Sequence, residues 1–144
     1  MRGLAIGIAL LALCGAARAE SPELNYMLQC RGCHLSDGAG TPGVVPPLAG
    51  HVARFLTVPG GREFLVRVPG SAQSALDDTE LAELLNWMMQ RFGPAGDAAN
   101  FVPYTAAEVA PLRRDPLTHV AAARRALLAK MAASHTAEAE EPPR

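Results

Sequence analysis

The sequence predicts an all-α fold, and three observations carry that expectation. Leu81, Leu84, Leu85, Met88 and Phe92 recur at helical spacing along one face. Residues that favour helix starts stand ahead of three segments: Ser21-Pro22, Asp77 with Glu80, and Thr105 with Glu108. No stretch shows the alternating β-branched pattern of a strand.

Taken in order, the first helix begins at Ser21, whose hydroxyl can cap. Pro22 suits the first helical position, and Glu23 complements the positive end of the helix dipole. This helix runs through Leu28 to a pair of cysteines. Residues 36–50, SDGAGTPGVVPPLAG, contain four glycines and three prolines, so no regular element persists there and the segment reads as a loop wrapped on something. The next stretch, HVARFLTVPGGREFLVRVPG, divides at Pro59-Gly60-Gly61 into two short helical pieces, the second from Arg62 to Val68. The clearest helix spans Asp78 to Phe92, capped by Asp77 and ended by Gly93-Pro94. Beyond it, Thr105 and Glu108 form a second capping-box pattern, and Asp115-Pro116 opens a final helix to Ala133. The last residues are acidic and proline-bearing, as a disordered tail would be.

The N-terminus reads MRGLAIGIALLALCGAARA: an early arginine, an apolar run, then small residues before Glu20. This is the pattern of a cleaved secretory signal, with an apolar part too short to span a bilayer. Cys14 followed by Gly15 also admits a lipoprotein anchor, although Leu13 is bulky where a small residue is favoured. The organisation expected is a signal over residues 1–19, a main domain over 20–93, a helical extension over 94–133 and a tail over 134–144. Removing Arg2 and Arg18 leaves the chain slightly acidic, since the whole sequence holds 13 Lys and Arg against 14 Asp and Glu. No basic patch argues for nucleic acid. With 5% aromatic residues and one tryptophan, the core gains from a large flat apolar body that the chain itself does not supply.

Such a body is implied by CRGCH, residues 30–34. In C-x-x-C-H two thiols attach to the vinyl groups of a haem and the adjacent imidazole reaches its iron. Cys30 and Cys33 are therefore the expected covalent attachments of one haem c, and His34 the expected proximal ligand. A thioredoxin-type dithiol would sit near a βαβ pattern, which is missing from the sequence. A zinc site would need more sulfur ligands than remain once Cys14 leaves with the signal.

Tyr26 ahead of CRGCH, the loop GTPGVVPPLAG and the helix DDTELAELLNWMM together resemble the class I cytochromes c of bacteria, over residues 21–92. The resemblance implies a cytochrome c-like domain in which the first and last helices cross, with Trp87 packed at the crossing. It also implies that the Pro46 carbonyl accepts a hydrogen bond from His34 Nδ1, fixing the ring's tautomer and strengthening the other nitrogen as a donor. Tyr26, Leu48, Leu84 and Trp87 are the residues it sets around the haem.

Family members usually carry a methionine, the sixth iron ligand, in a loop shortly before the last helix. The corresponding VPGSAQSALDD has neither methionine nor histidine. Met88 is the candidate distal ligand, against a reading as a simple core packer. Met89 is expected to be more exposed, His51 to be solvated, Met27 to pack in the first helix, and His119 and Met131 to lie in the extension. An open position, or one filled by water or Gln73, is the remaining option.

The implied function is that of a periplasmic mono-haem electron carrier, not itself an enzyme, working between an exported dehydrogenase and an oxidase or another cytochrome. Asp77, Asp78, Glu80 and Glu83 form an acidic cluster and Arg54, Arg62 and Arg67 a basic one; each reads either as a docking patch or as ordinary surface solvation. Two alternatives remain: a haem with a vacant distal site that binds a small gas, and a haem subunit docked to a larger oxidoreductase through residues 94–133.

Overall fold

The computed structural model describes residues 20–94 and 101–140, with side chains of the last helix described to residue 134. The signal segment and the end of the tail lie outside the described residues. Among the described residues the regular elements are helices: α1 (Pro22–Gln29), α2 (Arg31–His34), a 3₁₀ helix (Val52–Thr57), α3 (Gly61–Arg67), α4 (Pro69–Ala72), α5 (Asp78–Phe92), α6 (Ala106–Leu112) and α7 (Val120–Glu140).

The caps of α1 and α5 follow the local sequence. Ser21 accepts the Leu24 amide at 3.3 Å with Pro22 in the first turn. Asp77 accepts the Glu80 amide at 2.8 Å while the Glu80 carboxylate accepts the Asp77 amide at 2.9 Å, a complete capping box. At α6 only half of that box forms. Thr105 accepts the Glu108 amide at 3.2 Å, but the Glu108 carboxylate turns away to bind Arg62.

α1 packs on α5, and three rings fill the contact. Tyr26 lies 5.4 Å from Trp87 and 5.1 Å from Phe92, and Trp87 meets Phe92 edge-on at 5.6 Å. Each large side chain removed from water here contributes about 1.5–3 kcal/mol. α5 also carries α6 and the 3₁₀ helix, so it is buried on more than one face. That is why Met89, expected to be exposed, is fully buried.

The extension closes onto the same core, burying Tyr104, Val109, Leu127 and Met131. Arg62 holds it there. Its guanidinium donates to Glu108 Oε1 at 2.5 Å and Oε2 at 2.8 Å, to the Val102 carbonyl at 2.6 Å and to the Pro103 carbonyl at 3.0 Å, and it stacks 4.0 Å above the Tyr104 ring. Asn86 brackets the Tyr104 backbone from α5.

The final helix begins at Val120, not at Pro116, and continues past Ala133 to Glu140. Asp115 does not cap it because Arg67 engages the Asp115 carboxylate at 2.6 Å and its carbonyl at 2.8 Å. The Leu117 amide then donates to the Arg67 carbonyl at 2.8 Å, keeping this connection out of a helix.

Candidate functional site

The end of α1 leads directly into α2, and this short turn fixes the three residues of the motif. The Cys33 and His34 amides donate to the Cys30 carbonyl at 3.2 and 3.0 Å, and the Leu35 amide to the Arg31 carbonyl at 2.9 Å. Leu35 then takes a positive φ of 63°, an unfavourable conformation for a branched side chain. The Tyr26 hydroxyl pins its carbonyl at 2.6 Å, and the Gly40 amide pins the His34 carbonyl at 3.1 Å. A costly turn is thus held from two sides immediately after the histidine.

The loop 36–50 is shaped by its own backbone. Thr41 and Val45 exchange hydrogen bonds at 2.9 and 2.8 Å, a small hairpin that delivers Pro46. Gly40 is required beneath it: its φ is 68°, and a Cβ there would collide with the carbonyls of Val45 and Pro46. The Leu48 amide returns to the Gly38 carbonyl at 2.7 Å, and the Gly50 amide ties the loop to the end of α5 through the Phe92 carbonyl at 2.7 Å.

Cys30, Cys33 and His34 line one cavity of about 350 Å³ together with Val44, Val45, Pro46, Pro47 and Leu48 of the loop. The 3₁₀ helix and α3 supply Val52, Phe55, Phe64 and Leu65. α5 supplies Leu81, Leu84, Leu85 and Met88, and the stretch before it Val68, Pro69, Gly70, Ser71 and Ser74. Phe55 and Phe64 stack at 5.0 Å. Their close approach needs Gly61, where a Cβ would run into the Phe55 backbone.

Burial lowers the His34 pKa from the ordinary 6.5, and the Pro46 carbonyl opposes it. His34 Nδ1 is buried with no partner at full hydrogen-bond geometry, so Pro46 acts on the ring without completing that bond. Burial pushes the Cys30 thiol up to about 11, with Cys33 adding to the shift. At neutral pH Cys30 is therefore a protonated thiol, unlike the low-pKa nucleophile of a redox dithiol. Among the described residues no three His, Cys, Asp or Glu side chains gather to hold a metal ion, which gives the zinc reading no support.

The cavity fits a haem in chemistry: two free thiols and one imidazole open onto walls that are otherwise mainly aliphatic and aromatic. The structure brings together Cys30, Cys33, His34, Pro46, Leu48, Leu84 and Met88. Tyr26 and Trp87, expected around the haem, are not in the walls; they engage each other and Phe92 where α1 meets α5, behind Cys30. His51 is exposed, with Nδ1 2.8 Å from the Ala49 carbonyl, and Gln73 and His119 are exposed too. Met131 is buried away from the cavity. The sequence reading missed Val120 and Arg124 of α7, which close one side; Arg124 is the only permanently charged side chain among the described wall residues. No local signal marks them, because α7 is amphipathic only in the context of its packing.

No protein-family model matches the chain. Among curated proteins, the chain is 39% identical over 129 residues to a cytochrome c-552 of Thermus thermophilus, covering 77% of this chain and 87% of that protein. A second cytochrome c-552 of Thermus thermophilus is 41% identical over 108 residues, covering 62% of this chain and 82% of that protein. The all-α fold and the similarity to these cytochromes make the chain a haem-bearing cytochrome. The chain belongs to the class I c-type cytochromes, proteins whose haem c is covalently attached.

Proposed function

We propose that this chain is an exported mono-haem cytochrome c that carries single electrons in the periplasm. Its donor would be an exported dehydrogenase and its acceptor an oxidase or another cytochrome. The observation that carries the reading is the convergence of Cys30, Cys33 and His34 on one apolar cavity. Haem c bound there supplies a one-electron ferric/ferrous couple.

The chain's own residues hold and tune that group. Cys30 and Cys33 would hold the haem through thioethers, and His34 would supply an imidazole to its iron. Pro46 orients the imidazole through its carbonyl, while Leu48 and Leu84 exclude water. Arg124 is suited to the haem's propionate carboxylates. Tyr26 and Trp87 act through the backbone, bracing the helix contact that sets the position of Cys30. Cys33 is exposed and Val44 is 77% exposed, so the cavity edge is accessible to a partner making a small transient contact. No helix among the described residues is long and apolar enough to cross a membrane.

The test is expression of the full chain in a host competent for haem attachment, followed by a pyridine haemochrome spectrum and intact mass. One haem per chain should resist acid-acetone extraction, and the Cys30→Ala/Cys33→Ala double variant should retain none covalently. Normal covalent haem in the double variant would refute the assignment. Reduced protein should pass its electron to a soluble oxidase domain or cytochrome in stopped flow, and inertness toward all such acceptors would remove the carrier reading.

A further inference from the structure

We propose that the iron face opposite His34 is open and binds a neutral diatomic gas of the carbon monoxide or nitric oxide class without displacing a protein ligand. This rests on the haem reading above.

The argument is an inventory of donors. With Cys30 and Cys33 used in thioethers and His34 as one axial ligand, a second axial ligand would have to come from the remaining walls. Those walls are aliphatic or aromatic apart from Gln29, Ser71, Ser74, Met88 and Arg124. A guanidinium stays protonated and does not ligate. The Ser74 hydroxyl already donates to the Ser71 carbonyl at 2.9 Å, and neutral hydroxyls and amides are poor partners for haem iron.

Met88 is the one thioether, and its placement is that of a packer. It shares a face of α5 with Leu81, Leu84 and Leu85, all of them cavity walls, and it is only 7% exposed. A methionine on such an apolar helix face fills space with a flexible side chain.

The stretch from Val68 to Ser74 cannot bring in another donor. It offers five wall residues, none with a sulfur or imidazole. It is also locked, because Arg113 donates to the carbonyls of Ala72 at 3.2 Å, Ser74 at 2.9 Å and Leu76 at 2.7 Å. At Gly70 a Cβ would meet nothing within 4 Å, so the wall leaves space there. Walls this apolar favour a small neutral ligand over an anion, and no second histidine among the described wall residues stands ready to assist peroxide cleavage.

The experiment is titration of dithionite-reduced holoprotein with carbon monoxide, read by the Soret band, for wild type and Met88→Leu. Covalent haem is verified independently by haemochrome in each. The expected result is stoichiometric binding in both, with dissociation constants within about threefold of each other. Refusal by wild type with binding by Met88→Leu would overturn the inference and make Met88 the sixth ligand. Binding at least about tenfold tighter in Met88→Leu than in wild type would overturn it in the same direction. Refusal by both would place a ligand elsewhere and also overturn it. Absence of covalent haem from wild type would overturn the haem reading and this inference together, whereas intact haem with no gas binding overturns this inference alone.

Discussion

Replacing Arg113 with alanine tests whether one side chain from the extension sets the short wall of the cavity. Its guanidinium donates to three carbonyls, those of Ala72, Ser74 and Leu76, and to Asp78 Oδ1 at 3.1 Å. Taken singly, hydrogen bonds from a charged donor contribute about 1.5–3 kcal/mol. They do not add here, since all four share one planar group and the freed carbonyls regain water. The Asp78 carboxylate is 40% exposed, so that ion pair counts for about 1 kcal/mol or less. A net loss of about 2–4 kcal/mol follows, read by urea unfolding of the holoprotein with the slope unchanged. Because most partners are neutral carbonyls, about 1 M salt should remove little of the deficit. Arg113→Lys keeps the charge and loses the fork, so it should recover less than half of the loss. A deficit below about 0.5 kcal/mol, or a lysine variant as stable as wild type, would refute the idea that this residue pins the wall.

Gly40→Ala should cost more than Gly43→Ala. Both positions have positive φ, 68° and 76°, but only at Gly40 would a Cβ strike backbone, so the difference isolates the displacement of the Pro46 carbonyl. We expect about 1–3 kcal/mol of additional loss by urea unfolding, and equal losses would show that Pro46 does not depend on Gly40. Tyr26→Phe removes the 2.6 Å bond to the Leu35 carbonyl and should cost about 1–1.5 kcal/mol at neutral pH. Burial is the main cause that raises the Tyr26 pKa from 10.0 to about 12. The neutral phenol is thus the form favoured by folding. Its contribution is complete below pH 10 and lost as pH rises toward 12, where the unfolded state releases the proton first. The variant should lose that part of the alkaline decline and keep the part due to Tyr104, whose pKa burial also raises. An alkaline slope identical to wild type would count against it.

What was legible in the sequence was what depends on near neighbours. CRGCH places its chemistry in five consecutive residues, and the α5 cap needs only Asp77 and Glu80, three positions apart. The same logic misjudged Glu108. Its local partner was Thr105, but Arg62, 46 residues earlier, offers a bidentate contact that a backbone amide cannot match. Asp115 was read as a helix start and was taken by Arg67 for a similar reason. Met89 was misplaced because a helical stripe reveals one buried face, whereas α5 is covered by α1, α6 and the 3₁₀ helix together. Arg124 could not be found at all, since only the path of α7 across the fold brings it to the cavity.

The arginines that misled the sequence reading also bear on how the protein meets its partners. Arg62 and Arg67, which with Arg54 read from sequence either as a docking patch or as ordinary surface solvation, are bound to Glu108 and Asp115, and Asp78 of the acidic cluster is bound to Arg113. Charges paired within the molecule project little field beyond about 10 Å at ordinary salt. Close to the attachment motif, Leu28 at 63%, Leu35 at 45% and Val44 at 77% are exposed apolar side chains that stand beside the exposed charges of Arg31 and Asp37. On the carrier reading, these residues rim the place where an electron enters or leaves. A small contact of this kind releases quickly, because its area is limited and few buried ion pairs must break. On the carrier reading the extension would serve transfer indirectly, by pairing Arg62 and Arg67 with its own carboxylates while α7 closes the cavity.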